Sequence, residues 1–154
     1  MEFSMKRKPL VISLLISLGT GAVAGFFTSQ AMTVYQEMSR PPLSPPGWIF
    51  PIVWTVLYIL MGIAAWLIYL KRPKAEALKL YLIQLAVNFL WPFLFFNLHW
   101  YILSAIWLFL LWYLVFLLIR EFSKIDKTAG WLLLPYLVWL TFAAYLNLAI
   151  VFCR

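Results

Sequence analysis

Charged positions divide the chain into long apolar runs. Four stretches contain no Asp, Glu, Lys or Arg: Pro9–Gln36, Pro41–Leu70, Leu80–Ile119 and Thr128–Cys153. A helix crosses the hydrocarbon core of a bilayer with about 20 apolar residues. Three of the runs therefore hold one span each. The third run, 40 residues long, holds two, with its break at the polar point Asn97–Leu98–His99–Trp100. Helices are expected near 9–28, 47–70, 79–97, 101–120 and 130–152. A β-barrel is the other spanning solution, because lipid offers no partner to an open backbone group. Barrel strands alternate polar and apolar residues, and runs such as Leu108–Leu111 and Leu114–Ile119 do not. The fold class is all-α, an integral membrane bundle of five transmembrane helices forming one domain over 1–154.

Composition agrees. The chain is 66% hydrophobic and 11% charged, against about 45–50% and 25% in soluble domains. That excludes an ordinary soluble enzyme or a disordered protein. Cys153 has no partner cysteine, so no disulfide framework exists. The net charge of +7 is a topology signal. Lys6, Arg7 and Lys8, then Lys71, Arg72, Lys74 and Lys79, then Arg120, Lys124 and Lys127 all fall on one side of five spans. Only Arg40 and Arg154 fall on the other. By the positive-inside rule the N-terminus is cytoplasmic if the membrane is a bacterial cell membrane. Three short basic clusters do not form a nucleic-acid surface, so no nucleic-acid partner is expected. Lys6–Lys8, the run Leu10–Leu18 and Ala22-Val23-Ala24 imitate a cleavable signal peptide. The uncharged stretch continues to Gln36, which favours a retained helix.

Lipid requires only aliphatic residues, so polar groups, aromatics and prolines recurring on one face carry the information. In the second helix Pro51, Trp54, Tyr58 and Gly62 follow three- and four-residue spacing. In the third, Gln84, Asn88 and Trp91 share a face. In the fifth, Trp131, Pro135, Trp139 and Ala143 repeat every four residues, with Asn147 next. An unpartnered amide in hydrocarbon costs several kcal/mol, so Gln84, Asn88 and Asn147 should face the bundle interior. Interhelical bonding accounts for Asn147; for Gln84 and Asn88 beside Trp91, interhelical bonding and a ligand site are both open. Trp48, Trp66, Trp100 and Trp131 suit headgroup belts. Trp54, Trp91, Trp107, Trp112 and Trp139 sit deeper, filling a core or flanking a flat guest. Pro51, Pro92 and Pro135 either shape a cavity or kink their helices. Arg40-Pro41-Pro42-Leu43-Ser44-Pro45-Pro46-Gly47 is a stiff lead-in, either a linker or a lid. Gly21 and Gly25 form a GxxxG pair for close helix contact within one chain or between two. His99 reads as an interfacial residue, and no metal site or required cofactor is expected.

Three ordered motifs resemble those of the TspO/MBR family, the tryptophan-rich sensory protein, translocator protein or peripheral benzodiazepine receptor family. They are the segment Pro41–Gly62 (PPLSPPGWIFPIVWTVLYILMG), Gln84–Trp91 (QLAVNFLW), and Pro135–Trp139 followed by Ala143–Asn147. The resemblance implies a five-helix bundle, often a homodimer, with a cavity beneath the first loop for porphyrins, haem-like tetrapyrroles and benzodiazepine-type ligands. It places Trp54 and Asn88 against the ligand, Tyr58, Gln84, Trp91, Trp139 and Ala143 around it, and Pro42 in its closure. An alternative within the family is light- and oxygen-dependent protoporphyrin degradation, with Trp54 and Trp139 as the catalytic candidates; a regulatory scaffold is another. Two departures stand out. Tyr145 lies nine residues from Arg154, too far for the sterol-recognition pattern of animal members. The fourth helix lacks the acidic residue many members carry, with Trp107 nearest that position.

Overall fold

In a computed structural model the backbone of residues 2–37 and 49–153 is described, with the side chains of 6–27 and 49–152. The described residues are almost wholly helical: α1 Glu2–Glu37, α2 Ile49–Lys71, α3 Glu76–Pro92, a π-helical turn Phe93–Asn97, α4 Tyr101–Ile125 and α5 Lys127–Cys153. Five segments are long and apolar enough to cross a membrane, Lys6–Phe27, Ile49–Lys71, Glu76–Asn97, Tyr101–Ile125 and Lys127–Phe152. Helices α1, α4 and α5 outrun the expected bounds, most of all α1, which was expected near 9–28. The reason is that backbone hydrogen bonding does not stop where apolar sequence stops.

Around the bundle the order is α1, α2, α5, α4, α3, with α3 returning to α1. Lipid tails give little drive for helix association, so small residues and interhelical hydrogen bonds must supply it. The α1–α2 contact shows both. Ser13 Oγ donates to the carbonyl of Gly62 at 2.7 Å and Ser17 Oγ to that of Tyr58 at 2.8 Å. A Cβ on Gly62 would lie 2.8 Å from Leu14 Cδ2 and from Ser17 Oγ. A Cβ on Gly21 would lie 2.4 Å from the Tyr58 ring, whereas one on Gly25 would meet nothing within 4 Å. The first glycine of the pair thus serves packing within the chain, and the second borders open space.

The three prolines differ in consequence. Pro51 lies in the first turn of α2, where backbone N–H groups have no intrahelical partner, so it removes no bond. Pro92 closes α3 and the chain widens into the π turn, with Leu98 N–H bonded to the Phe93 carbonyl at 2.9 Å. Pro135 lies inside α5 on its exposed face. The sharp reversal falls where the polar break was expected: His99 adopts φ 56°, an αL geometry that His tolerates better than β-branched residues. His99 is exposed, and its Nδ1 lies 3.0 Å from the Tyr101 hydroxyl.

At the basic end, Asp126 caps α5. Its Oδ1 accepts from the N–H groups of Thr128 at 2.8 Å and Ala129 at 3.4 Å, and its Oδ2 lies 3.2 Å from Lys71 Nζ. Burial pushes the carboxyl up, but the Lys71 ammonium and the two N–H groups outweigh it and hold it below its ordinary value. Asp126 therefore contributes stability above the usual carboxylate range, and the contribution is lost as pH falls through its lowered value. Asp126→Ala is expected to cost about 1 kcal/mol, the worth of a helix N-cap, and to flatten the acid limb of a thermal-stability profile measured against pH in detergent.

Candidate functional site

Between the later half of α1 and the membrane-crossing parts of α2, α3 and α4 lies a cavity of about 420 Å³. Its α1 wall is made of small residues, Gly21, Ala22, Ala24 and Gly25, which leave the space that larger side chains would fill. The other walls carry Trp54 and Tyr58 from α2, Asn88 and Trp91 from α3, and Phe96 from the π turn. The π turn explains two consecutive inward rings. In an α-helix neighbours point about 100° apart, whereas the wider turn lets both Phe95 and Phe96 be buried. Trp91 stacks on Phe95 at 5.2 Å between centroids and meets Phe96 edge-on at 6.0 Å.

Behind the rings runs a buried polar chain. The Tyr58 hydroxyl donates to Asn88 Oδ1. Asn88 Nδ2 donates to the Tyr136 hydroxyl at 2.7 Å, and that hydroxyl donates to Gln84 Oε1 at 2.9 Å. Gln84 Nε2 reaches Met61 Sδ at 3.9 Å. This chain ties α2, α3 and α5 together at mid-depth. Asn88 keeps one N–H and one lone pair beyond these bonds, so it can meet a ligand without giving up either tyrosine. A second polar node holds the other end. Asn147 Oδ1 accepts from Trp91 Nε1 at 3.2 Å and Ser104 Oγ at 3.1 Å, and Asn147 Nδ2 donates to the Tyr101 carbonyl at 2.9 Å. Both its carbonyl and its amino group are bonded across helices, as interhelical bonding requires.

Gln84, Asn88 and Asn147 all face inward, at 0%, 3% and 1% exposure. Trp54, Tyr58, Asn88 and Trp91 are brought together on the cavity wall. Gln84 sits one hydrogen bond behind it. Trp139 packs edge-on against Trp54, centroids 6.5 Å apart, and against Phe50 at 5.8 Å; its indole N–H is buried without a hydrogen bond among the described residues. Ala143 is buried in the core. Pro42 and Trp48 lie outside the described residues. The α5 stripe needs correction: Trp131 is 69% exposed and Pro135 is also exposed, and the inward face is Leu133, Tyr136, Leu140 and Asn147. Tyr136, central to the polar chain, was missed. The signal for it was its phase, seven residues from Ala143 and eleven from Asn147. Among the deeper tryptophans, Trp107 Nε1 donates to the Val87 carbonyl at 2.8 Å and Trp112 Nε1 to Thr141 Oγ1 at 2.9 Å, fastening α4 to α3 and α5. No cluster of three His, Cys, Asp or Glu suited to a metal occurs among the described residues.

The sequence profile of the TspO/MBR family matches residues 12–153. The chain belongs to the TspO/MBR family. Its relatives within that family include the tryptophan-rich protein TspO of Chlorobaculum tepidum, 34% identical over 153 residues, which span 95% of this chain and 97% of that one. The translocator protein of Bos taurus is 32% identical, covering 88% and 83% of the two chains. The tryptophan-rich sensory protein of Cereibacter sphaeroides is 36% identical over 73% of this chain and 72% of its own. TspO/MBR membership and five membrane-spanning helices make the chain an integral membrane protein.

Proposed function

We propose that this chain is a membrane receptor or carrier for flat aromatic ligands, namely porphyrins such as protoporphyrin IX, haem-like tetrapyrroles and benzodiazepine-type molecules. The observation that carries the reading is the cavity of about 420 Å³ walled by Trp54, Tyr58, Trp91 and Phe96 with one amide, Asn88, at its edge. Small-molecule sites are mostly apolar hollows of about 300–1,000 Å³ with few polar groups, and indole and phenyl faces stack on a flat guest. In this reading Trp54 and Asn88 touch the ligand, Tyr58 and Trp91 wall it, and Gln84, Trp139 and Ala143 support the wall. The closing role of Pro42 rests on the family resemblance alone. A homodimer in a bacterial cell membrane, with the N-terminus cytoplasmic, completes the proposal; the basic clusters support that orientation.

The test is titration of protoporphyrin IX into the detergent-solubilised full chain, read by tryptophan quenching. A Trp54→Phe/Asn88→Ala double variant should bind at least about tenfold more weakly, equivalent to about 1.4 kcal/mol. Unchanged affinity would reject the site. A second reading, oxidation of bound porphyrin by molecular oxygen in light, draws on the Trp54–Trp139 ring contact. It requires a new product spectrum under illumination that disappears in Trp139→Phe; bleaching at the rate of free porphyrin removes it.

A further inference from the structure

A second, larger cavity of about 730 Å³ lies at the other end of α1 and α2. The early half of α1, the late half of α2 and the start of α3 enclose it. Its sides are apolar, with Pro9, Ile12, Ile16, Leu78 and Leu82 among them, and Trp66 and Tyr69 stand on the α2 side. Its mouth is basic. Lys8 lines it, and so does Pro73, which Arg72 and Lys74 flank in the turn between α2 and α3. Among the described side chains the acids of this end are already engaged: Asp126 with Lys71, Glu76 with Lys79, and Glu121 with Lys124. Lys8, Arg72 and Lys74 are exposed and make no ion pair among the described residues. On the cavity wall Tyr81 is 3% exposed.

We propose that this groove is a binding site for one anionic phospholipid of the leaflet on the N-terminal side. The phosphate sits among Lys8, Arg72 and Lys74, and an acyl chain runs between α1 and α3 along Ile12, Ile16 and Leu82. Two lines of physics select this occupant. A groove that is apolar along its length and cationic at its mouth matches a molecule with that same division. Basic pockets between transmembrane helices on this kind of face hold acidic headgroups. A second copy of the chain fits poorly, since pairing over this groove would set two groups of unpaired cations side by side.

Native mass spectrometry of the full chain, released from micelles doped with phosphatidylglycerol or phosphatidylcholine, tests this. The expected result is one retained phosphatidylglycerol per chain in preference to phosphatidylcholine. Lys8→Gln should weaken that retention about fivefold, and Ile12→Trp, at a position 48% exposed, should abolish it by filling the groove. A parallel readout uses phosphatidylglycerol with brominated acyl chains, which should quench the wild type more than Trp66→Phe. Equal retention of the two lipids would overturn the proposal. So would retention unchanged in both variants, or a protein dimer that forms in place of the lipid-bound species.

Discussion

Asn88→Ala is expected to lower stability by about 1–3 kcal/mol, measured as thermal unfolding in detergent. Two effects add. The bonds to Tyr58 and Tyr136 disappear, and interhelical hydrogen bonds in membrane proteins average about 0.6 kcal/mol each. That average assumes the freed groups find other partners. Here the Tyr58 hydroxyl, on a residue 6% exposed, is left without its acceptor, and a stranded buried hydroxyl costs about 1–3 kcal/mol. The second effect decides the size. Tyr58→Phe should therefore cost less than Asn88→Ala, because it removes the hydroxyl along with the bond. The Tyr58→Phe/Asn88→Ala double variant should lose less than the sum of the singles, since both act on one contact. Strict additivity would show that Tyr58 and Asn88 do not depend on each other.

The two glycines of α1 should separate binding from folding. Gly25→Leu is expected to keep the fold and to lose protoporphyrin affinity by at least about tenfold, or about 1.4 kcal/mol. Gly25 lines the cavity, and a Cβ there meets nothing within 4 Å, so the new side chain occupies the space a ligand needs. Gly21→Ala should do the reverse. Its Cβ would lie 2.4 and 2.5 Å from two Tyr58 ring carbons, so the ring must shift and its bond to Asn88 is disturbed. Overpacking of this kind costs about 1–3 kcal/mol. Unchanged binding in a folded Gly25→Leu would move the ligand out of this cavity.

Much of this was legible because the bilayer imposes simple rules. Charge placement and run length marked five spans, and the polar point Asn97–Trp100 marked the reversal near His99. The inward amides followed from the cost of an unpartnered polar group in hydrocarbon. Spacing worked where it averaged the helical period. Tyr58 and Gly62, or Gln84, Asn88 and Trp91, lie three and four residues apart and stay on one face. It failed in α5, where a strict four-residue step advances about 400° and drifts about 40° each time. Trp131 consequently ends outside while Ala143 ends inside, and Tyr136 between them was overlooked. Helix ends were misjudged because apolar content marks where lipid begins and not where hydrogen bonding ends. The division between wall and support, Trp54 against Trp139 or Asn88 against Gln84, depends on how helices rotate against one another. A single sequence does not carry that information.

The wide turn at Phe93–Asn97 has a consequence for how such a hollow can change shape. One surplus residue is accommodated there, after the amides of α3 and before the reversal at His99. Deleting a residue from this stretch would tighten it to ordinary pitch and withdraw one phenylalanine from the floor, while Gln84 and Asn88 upstream kept their positions. The volume offered to a guest is thus adjustable by chain length at one spot, without any exchange of the side chains that grip it.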